Sequence, residues 1–290
     1  MKNITIITPV YNDWDSFTKL IVEIDKVIEN FSDISFKLIA INDGSKHKAP
    51  KIKIPKNFKQ IEILNMKINQ GHAICLANGI KYSIQNHNFD YLILTDADGE
   101  DRPEEISYLI DKAKRSKNFS VVAKRVKRSE GPIFKMFYFA HKILTLVFTG
   151  KLMNFGNFSI MTRNDAELII KDPTIISNYS GTLKKNIKYL DNIDCIRGKR
   201  YFGPSKMPFI KLIIHSFSII AVFKMDVFIR SALILILLSY LHSYLGIVGP
   251  ILQLMIVSFN ILIYLISAQS SQKKLDTMSS KQESVELITH

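Results

Sequence analysis

Apolar and polar positions alternate in one way over the first part of the chain and in another way after it. As far as Gly131, short β-prone runs trade places with stretches at helical spacing. Lys2–Pro9 is rich in Ile and Thr and reads as a first strand. Asp15–Phe31 carries Phe17, Leu20, Ile21, Ile24, Val27 and Ile28 on one helical face. Further strands are expected at Phe36–Asn42, Ile61–Met66, Tyr91–Thr95 and Ser120–Ala123, and helices at Gly71–Ile84 and Pro103–Lys114. The last of these opens with Pro103 and the acidic pair Glu104-Glu105, as helix N-termini favour. Regular alternation of strand and helix predicts an α/β domain with an open, mainly parallel sheet.

Beyond Gly131 the apolar density rises. Residues 133–152 and 207–223 are too charged to span a bilayer comfortably and very apolar for a helix facing water. Each reads either as a helix lying in a membrane interface or as one packed on the sheet. From Ser231 to Gln272 there is no Asp, Glu, Lys or Arg. Phe228–Val248 has the length of a membrane crossing, Gly249-Pro250 is expected to break it, and Ile251–Ala268 gives a second crossing. Lys211, Lys224 and Arg230 before the pair, with Lys273-Lys274 after it, put both ends on the cytoplasmic side. The expected division is therefore residues 1–206 as a cytoplasmic catalytic domain, 207–227 as an interfacial amphipathic helix, 228–268 as two transmembrane helices and 269–290 as a flexible cytoplasmic tail. The expected location is an integral protein of the cytoplasmic (inner or plasma) membrane.

Composition changes this picture little. Of 290 residues 47% are hydrophobic and the net charge is +13. The lysines and arginines fall in short scattered blocks without zinc-ligand spacing or interleaved aromatics, so membrane lipid headgroups are the expected anionic partner and no nucleic acid is expected. Cys75 and Cys195 form no C-x-x-C, and no disulfide is implied. The first residues lack the long apolar region of a signal peptide.

The chemistry gathers at strand ends. Tyr91–Asp101, Y-L-I-L-T-D-A-D-G-E-D, delivers Asp96, Asp98, Glu100 and Asp101 where an α/β sheet places its ligand crevice. Taken alone it suits either a solvated acidic turn or a hard divalent ion shared with substrate phosphates. Three more polar clusters follow the other strands in order: Thr8-Pro9-Val10-Tyr11-Asn12-Asp13, Asn42-Asp43-Gly44-Ser45 and Asn69-Gln70-Gly71. Neither a phosphate-binding NTPase loop nor a dinucleotide fingerprint competes with them.

In this order the motifs resemble the GT-A-fold family 2 glycosyltransferases, specifically the membrane-bound polyprenyl-phosphate enzymes typified by dolichol-phosphate mannose synthase. The family's P-V-Y-N-E, D-D-G-S and N-x-G-x-x-x-A-x-x-x-G are matched from Pro9, from Asn42 and from Asn69 to Gly79. Its D-A-D-L-Q-D-P-P-E is matched from Asp96 to Glu104, its R-x-x-R by Arg125 and Arg128, its G-D-F-R-L-M-x-R from Gly156 to Arg163, and its R-x-x-G-x-S-K from Arg200 to Lys206. The resemblance covers roughly residues 3–225. It implies a GT-A, Rossmann-like open mixed and mainly parallel sheet domain, followed by interfacial helices and a two-helix C-terminal transmembrane hairpin.

The resemblance also implies roles. Pro9, Tyr11, Asp13 and Asp43 would hold the nucleotide of a nucleotide-sugar donor, and Asp96, Asp98 and Glu100 would hold Mg²⁺ or Mn²⁺ under its diphosphate. Arg125, Arg128, Arg200 and Lys206 would clamp phosphates. The acceptor would be a polyprenyl phosphate, and relatives imply a homo-oligomer packed through the hairpins. Asn157 stands where the family usually has Asp, with Ser159 where Arg follows. A neutral amide cannot act as a base, so an already anionic phosphate acceptor fits best. A sugar hydroxyl on a lipid-linked or surface-polysaccharide precursor is the alternative, with Asp101 and Asp194 as candidate bases. A catalytically silent membrane scaffold is a third reading, which the intact Asp96/Asp98 pair opposes.

Overall fold

The protein is described by a computed structural model covering residues 1–116, 119–127, 132–204 and 209–289. In chain order the elements are β1 (Asn3–Val10), α1 (Trp14–Ile28), β2 (Ser35–Asn42), β3 (Phe58–Met66), α2 (His72–Asn86), β4 (Tyr91–Leu94), α3 (Glu105–Arg115), β5 (Val121–Lys127), α4 (Pro132–Thr149), β6 (Phe155–Thr162), α5 (Arg163–Ile169), α6 (Tyr179–Asn186), β7 (Asp191–Ile196), α7 (Phe209–Ala221), α8 (Lys224–Tyr240), α9 (His242–Leu245), α10 (Val248–Ala268), α11 (Gln272–Thr277) and β8 (Gln282–Ile288). Short 3-10 turns lie at Pro173–Ile176 and Met278–Lys281. The chain divides into two compact units. The sheet unit comprises Met1–Ser129, Asn154–Lys206 and Gln272–His290, and the helical unit comprises Glu130–Met153 and Met207–Ser271.

Every strand of the sheet unit joins one sheet, in the order β7-β5-β6-β4-β1-β2-β3-β8. β4, β1, β2 and β3 run parallel to one another. Their side chains alternate between two apolar layers, as a strand's period of two requires. Ile6, Leu38 and Ile93 pack with Phe17, Leu20, Ile24, Leu109 and Ile110 of α1 and α3. Ile7, Ile39, Ile41 and Leu92 pack with Leu76 and Ile80 of α2 and with Tyr179 and Leu183 of α6. Burial on both faces explains why these strands read as almost unbroken apolar runs. Because α1 and α2 cover opposite faces and the order reverses at β1, the carboxyl ends of β4, β1, β2 and β3 open onto one crevice.

Between β4 and β5 lies β6, antiparallel to both, which makes the sheet mixed as expected. Two expectations need correction. The tail expected to be flexible is ordered: Leu275 and Met278 are buried in the α2 layer, and β8 pairs antiparallel with β3 from Ile61 to Met66. Its polar sequence hid a strand whose affinity for the sheet comes from backbone hydrogen bonds. Finally, the first apolar span is not one helix over Phe228–Val248. α8 stops at Tyr240, and the chain turns through α9 and Gly246. Gly249 and Pro250 lie in the first turn of α10, where proline costs nothing because first-turn N–H groups have no helical acceptor.

In the helical unit α4, α7, α8 and α10 pack on one another around Phe148, Ile220, Val227 and Ile263. Among the described residues one segment, beginning at Val248, is long and apolar enough to cross a membrane, with mean hydropathy 2.1. α8 has 17 residues, about 25 Å at the helical rise of about 1.5 Å per residue.

Candidate active site

Two glycines fix the loops that frame the crevice. Gly44 has φ +64°, and a Cβ there would meet Asn69 N at 2.6 Å, so the turn after β2 packs directly on the turn after β3. Gly99 has φ +84°, and a Cβ would strike the Tyr201 ring at 2.6 Å. The acidic loop after β4 is thereby pressed against the loop after β7, and Tyr201 N donates to Asp98 O at 2.8 Å.

The four strand-end clusters meet. Asn12 N donates to Ser45 Oγ at 2.9 Å. Asp43 is almost fully buried, with Oδ1 accepting from Gln70 N at 2.6 Å and Oδ2 from Gly71 N at 2.9 Å. Its carboxylate braces that turn. Burial, followed by the neighbouring Asp43 charge and hydrogen bond, pushes the Cys75 thiol well up; it is a core residue, not a nucleophile. Pro9 sits at the end of β1 in register with Ile41, and Tyr11 just beyond it is 39% exposed.

Arginine counters most of the acids. Arg200 Nη2 donates to Asp13 Oδ2 at 2.7 Å and Nη1 to Asp98 Oδ2, which ties the β1 and β4 loops through one guanidinium. Glu100 is held by Arg197, through Nε at 3.0 Å and Nη2. Asp101 is buried, with Oδ1 3.3 Å from Arg125 Nη2 and Oδ2 accepting from Asp96 N at 3.0 Å. Burial, then the Asp96 charge, pushes the Asp101 carboxyl up to about 6 in spite of Arg125. Burial likewise raises Asp98. Asp101 is thus a structural partner of Arg125 and not a base for an incoming hydroxyl. Asp194, the other candidate base, is exposed on β7 beside Lys124. Arg128 and Lys206 lie outside the described residues.

Asp96 differs from its neighbours. Its Oδ1 is buried and receives no hydrogen bond; His72 Nε2 lies 3.3 Å away. Asn157 Nδ2 lies 2.9 Å from the same His72 nitrogen. His72 opens α2 directly behind Gly71. It was not singled out in the sequence, although its place inside the Asn69–Gly79 motif marked it. Ser159 turns away from the crevice, its hydroxyl bonded to buried Tyr179 at 2.8 Å.

Buried atoms left without partners are costly. Asp96 Oδ1, Arg200 Nε and Tyr201 OH are three such atoms around this crevice. They suit a polar ligand, and an unpartnered carboxylate oxygen two residues from a second carboxylate, Asp98, on the same loop suits a hard divalent ion. Glu100 does not join that pair: no group of three His, Cys, Asp or Glu among the described residues is spaced to hold a metal.

Residues 5–196 match the family described as Glycosyl transferase family 2. The chain belongs to that family. Its family 2 relatives include an uncharacterized glycosyltransferase, sll0501, of Synechocystis, 31% identical over 177 residues, which are 59% of this chain and 53% of that protein. Another is the undecaprenyl-phosphate 4-deoxy-4-formamido-L-arabinose transferase of Photorhabdus laumondii, 28% identical over 229 residues, 73% of this chain and 65% of that protein. The chain therefore spans between about half and two thirds of the length of these curated relatives. Among solved structures, glucosyl-3-phosphoglycerate synthase from Mycobacterium tuberculosis, crystallised with Mn²⁺, uridine diphosphate and glucosyl-3-phosphoglycerate, superposes with TM-score 0.52 at 14% identity, covering 78% of this chain and 80% of that one. The same enzyme with Mn²⁺ and UDP-glucose gives 0.53 at 13% identity, covering 78% and 79%. This likeness establishes the GT-A fold.

Proposed function

We propose that the protein is a metal-dependent, inverting glycosyltransferase that moves a sugar from a nucleotide-sugar donor to a polyprenyl phosphate at the cytoplasmic face of a membrane. The observation that carries the reading is the charge pattern of the crevice. Asp13, Asp98, Glu100 and Asp101 are each countered by arginine, and Asn157 presents an amide where a base would otherwise stand. Such a site lacks a ready base for a hydroxyl and suits an acceptor that arrives anionic. The undecaprenyl-phosphate activity named for a relative agrees with this.

Asp96 and Asp98 would hold Mg²⁺ or Mn²⁺. When bound, the ion supplies positive charge to the diphosphate that leaves. Tyr11 offers an exposed ring to the nucleotide, and Asp13 a carboxylate for its hydroxyls. Arg200 exchanges carboxylate oxygens for phosphate oxygens of similar geometry, so the Asp13–Asp98 tie opens as the donor enters. An oxygen of the acceptor phosphate then attacks the anomeric carbon from the face opposite the diphosphate, the carbon–oxygen bond to the diphosphate breaks, and inversion follows. Positioning and charge stabilisation carry the rate.

The helical unit is the proposed membrane anchor, with α8 and α10 as a hairpin. The chain leaves it at Ser271 and continues into β8 of the sheet unit, which agrees with an even number of crossings. The test is a donor screen with detergent-solubilised protein, divalent metal and a short polyprenyl phosphate. Label entering an acid-labile lipid is the expected result. Donor hydrolysis without lipid product, converted to transfer by a lipid-linked glycan, would move the acceptor to a sugar hydroxyl.

A further inference from the structure

The C-terminal segment does more than close a sheet edge. Ser45 N donates to Asn42 Oδ1 at 3.0 Å. A backbone N–H can only donate, so Asn42 must turn its Nδ2 the other way, where it meets Asn65 Oδ1 at 2.8 Å. Asn65 must then turn its own Nδ2 outward, and it reaches Glu286 Oε1 at 2.8 Å and Ser284 Oγ at 3.1 Å on β8. Asn42 and Asn65 are direct partners in the β2–β3 ladder, and Asn65 and Ser284 in the β3–β8 ladder. At the other end Ser45 Oγ accepts from Asn12 N, and Asn12 Oδ1 accepts from Lys46 N at 2.8 Å. One directional chain of hydrogen bonds thus runs across the carboxyl edge of the sheet, from Glu286 on β8 to Asn12 between Tyr11 and Asp13. Lys67 N also donates to Lys281 O at 2.9 Å, four residues before Gly71 and its bond to Asp43.

We propose that the segment from Gln272 to Ile288 is a strap that positions the donor-site loops, with Asn42, Asn65 and Glu286 as positioning residues. The proposal rests on the reading of the Tyr11–Asp13 loop as part of the donor site. It also gives a reason for Asn at position 42, where the family pattern has Asp. An aspartate accepts only, so Asn65 would have to turn its amide round and present Oδ1 to the Glu286 carboxylate. Asp at 42 therefore opposes Glu at 286, while Asp at 42 with Gln at 286 reverses the two side-chain links through Asn65 and satisfies them again, the backbone donors of Ser45 and Asn12 keeping their direction.

The experiment compares wild type, Asn42→Asp, Asn42→Asp with Glu286→Gln, Ser284→Ala with Glu286→Ala, and Glu283→Gln as a control on the same strand. Amide exchange over Gln282–Ile288 and over Asn12–Lys46 is followed in detergent, with donor KM and kcat alongside. Loss of a hydrogen bond to a charged group is worth roughly a tenfold change in local opening. Exchange in both segments should rise about tenfold in Asn42→Asp and in the Ser284/Glu286 double variant, and return to wild type in the Asn42→Asp/Glu286→Gln pair. Donor KM should rise several-fold with kcat within about twofold, and the control should match wild type. The Ser284/Glu286 variant alters only exposed side chains, so it reports even where Asn42→Asp fails to fold. Unchanged exchange at Asn12–Lys46 when β8 is loosened overturns the strap, whatever the donor does. Intact exchange coupling with no effect on donor KM overturns its role in donor binding. A wild type that binds no nucleoside diphosphate overturns the donor reading itself.

Discussion

In the sheet unit Ile6, Ile93 and Leu109 are fully buried, while in the helical unit Leu233, Ile236 and Leu254 are 62%, 66% and 68% exposed. The two units use the same aliphatic side chains and dispose of them in opposite directions. Burying one such side chain stabilises a water-soluble fold by about 1.5–3 kcal/mol. So many exposed apolar side chains agree with the proposed membrane anchor, since large exposed apolar surfaces mark a membrane or partner site. The polar groups follow the same division. Acids and arginines of the sheet unit pair at strand ends, whereas Gln253 of α10 reaches across to Ser239 of α8 at 2.8 Å.

The contrast can be broken in four ways, with effects that shrink in order. Truncating Ile93 to Ala should cost the sheet unit about 4 kcal/mol, transfer and cavity terms together, while Leu254→Ala in detergent should cost under about 0.5 kcal/mol, because its methyls face the solvent in the folded state too; thermal unfolding of both variants checks the pair. Placing an acid on the outer surface of α10, Leu254→Asp, should oppose membrane insertion by about 3 kcal/mol, moving protein from the alkali-resistant membrane fraction to the soluble one. An exposed acid in the sheet unit, Val22→Asp, should leave the distribution unchanged.

Acid sensitivity should belong to the sheet unit. Burial alone would raise Asp172, but hydrogen bonds from Asn186, Lys185 and Thr174 hold it down to about 2, against an ordinary 3.8. A carboxyl lowered by folding contributes stability that is present above pH 3.8 and is lost as pH falls toward 2. Asp172→Asn should remove about 2 kcal/mol of stability near neutral pH and flatten the acid limb of the unfolding curve over that window. The smallest effect is expected in the helical unit, where Gln253→Leu should loosen the α8–α10 pair by about 0.6 kcal/mol, the scale of one interhelical hydrogen bond in an apolar medium.

What the sequence made legible follows the same physical lines. β1 to β4 could be read because each is buried on both faces and so appears as an uninterrupted apolar run. β6, with Gly156, Asn157 and Ser159 along it, has no such signature, and its antiparallel place between β4 and β5 is decided by partners distant in sequence. β8 is polar because an edge strand needs only its backbone. The strand-end acids were visible, since carboxylates after an apolar run are unusual. Their pairing was not: Arg197 and Arg200 reach Glu100 and Asp98 from about a hundred residues away, and no spacing rule predicts that meeting. The turn that Asp43 braces was not visible either, since it depends on the Gly44 approach to Asn69.

In the proposed mechanism Asp96 and Asp98 seat a divalent ion together with a nucleoside diphosphate. Mn²⁺ binding to the detergent-solubilised protein, followed by electron paramagnetic resonance with and without each nucleoside diphosphate of a panel, tests it without turnover. The wild type should bind Mn²⁺ at least about tenfold more tightly in the presence of one of them, and Asp98→Asn should lose that gain while Glu100→Gln keeps it. Mn²⁺ binding that is the same in Asp98→Asn as in the wild type would contradict the claim.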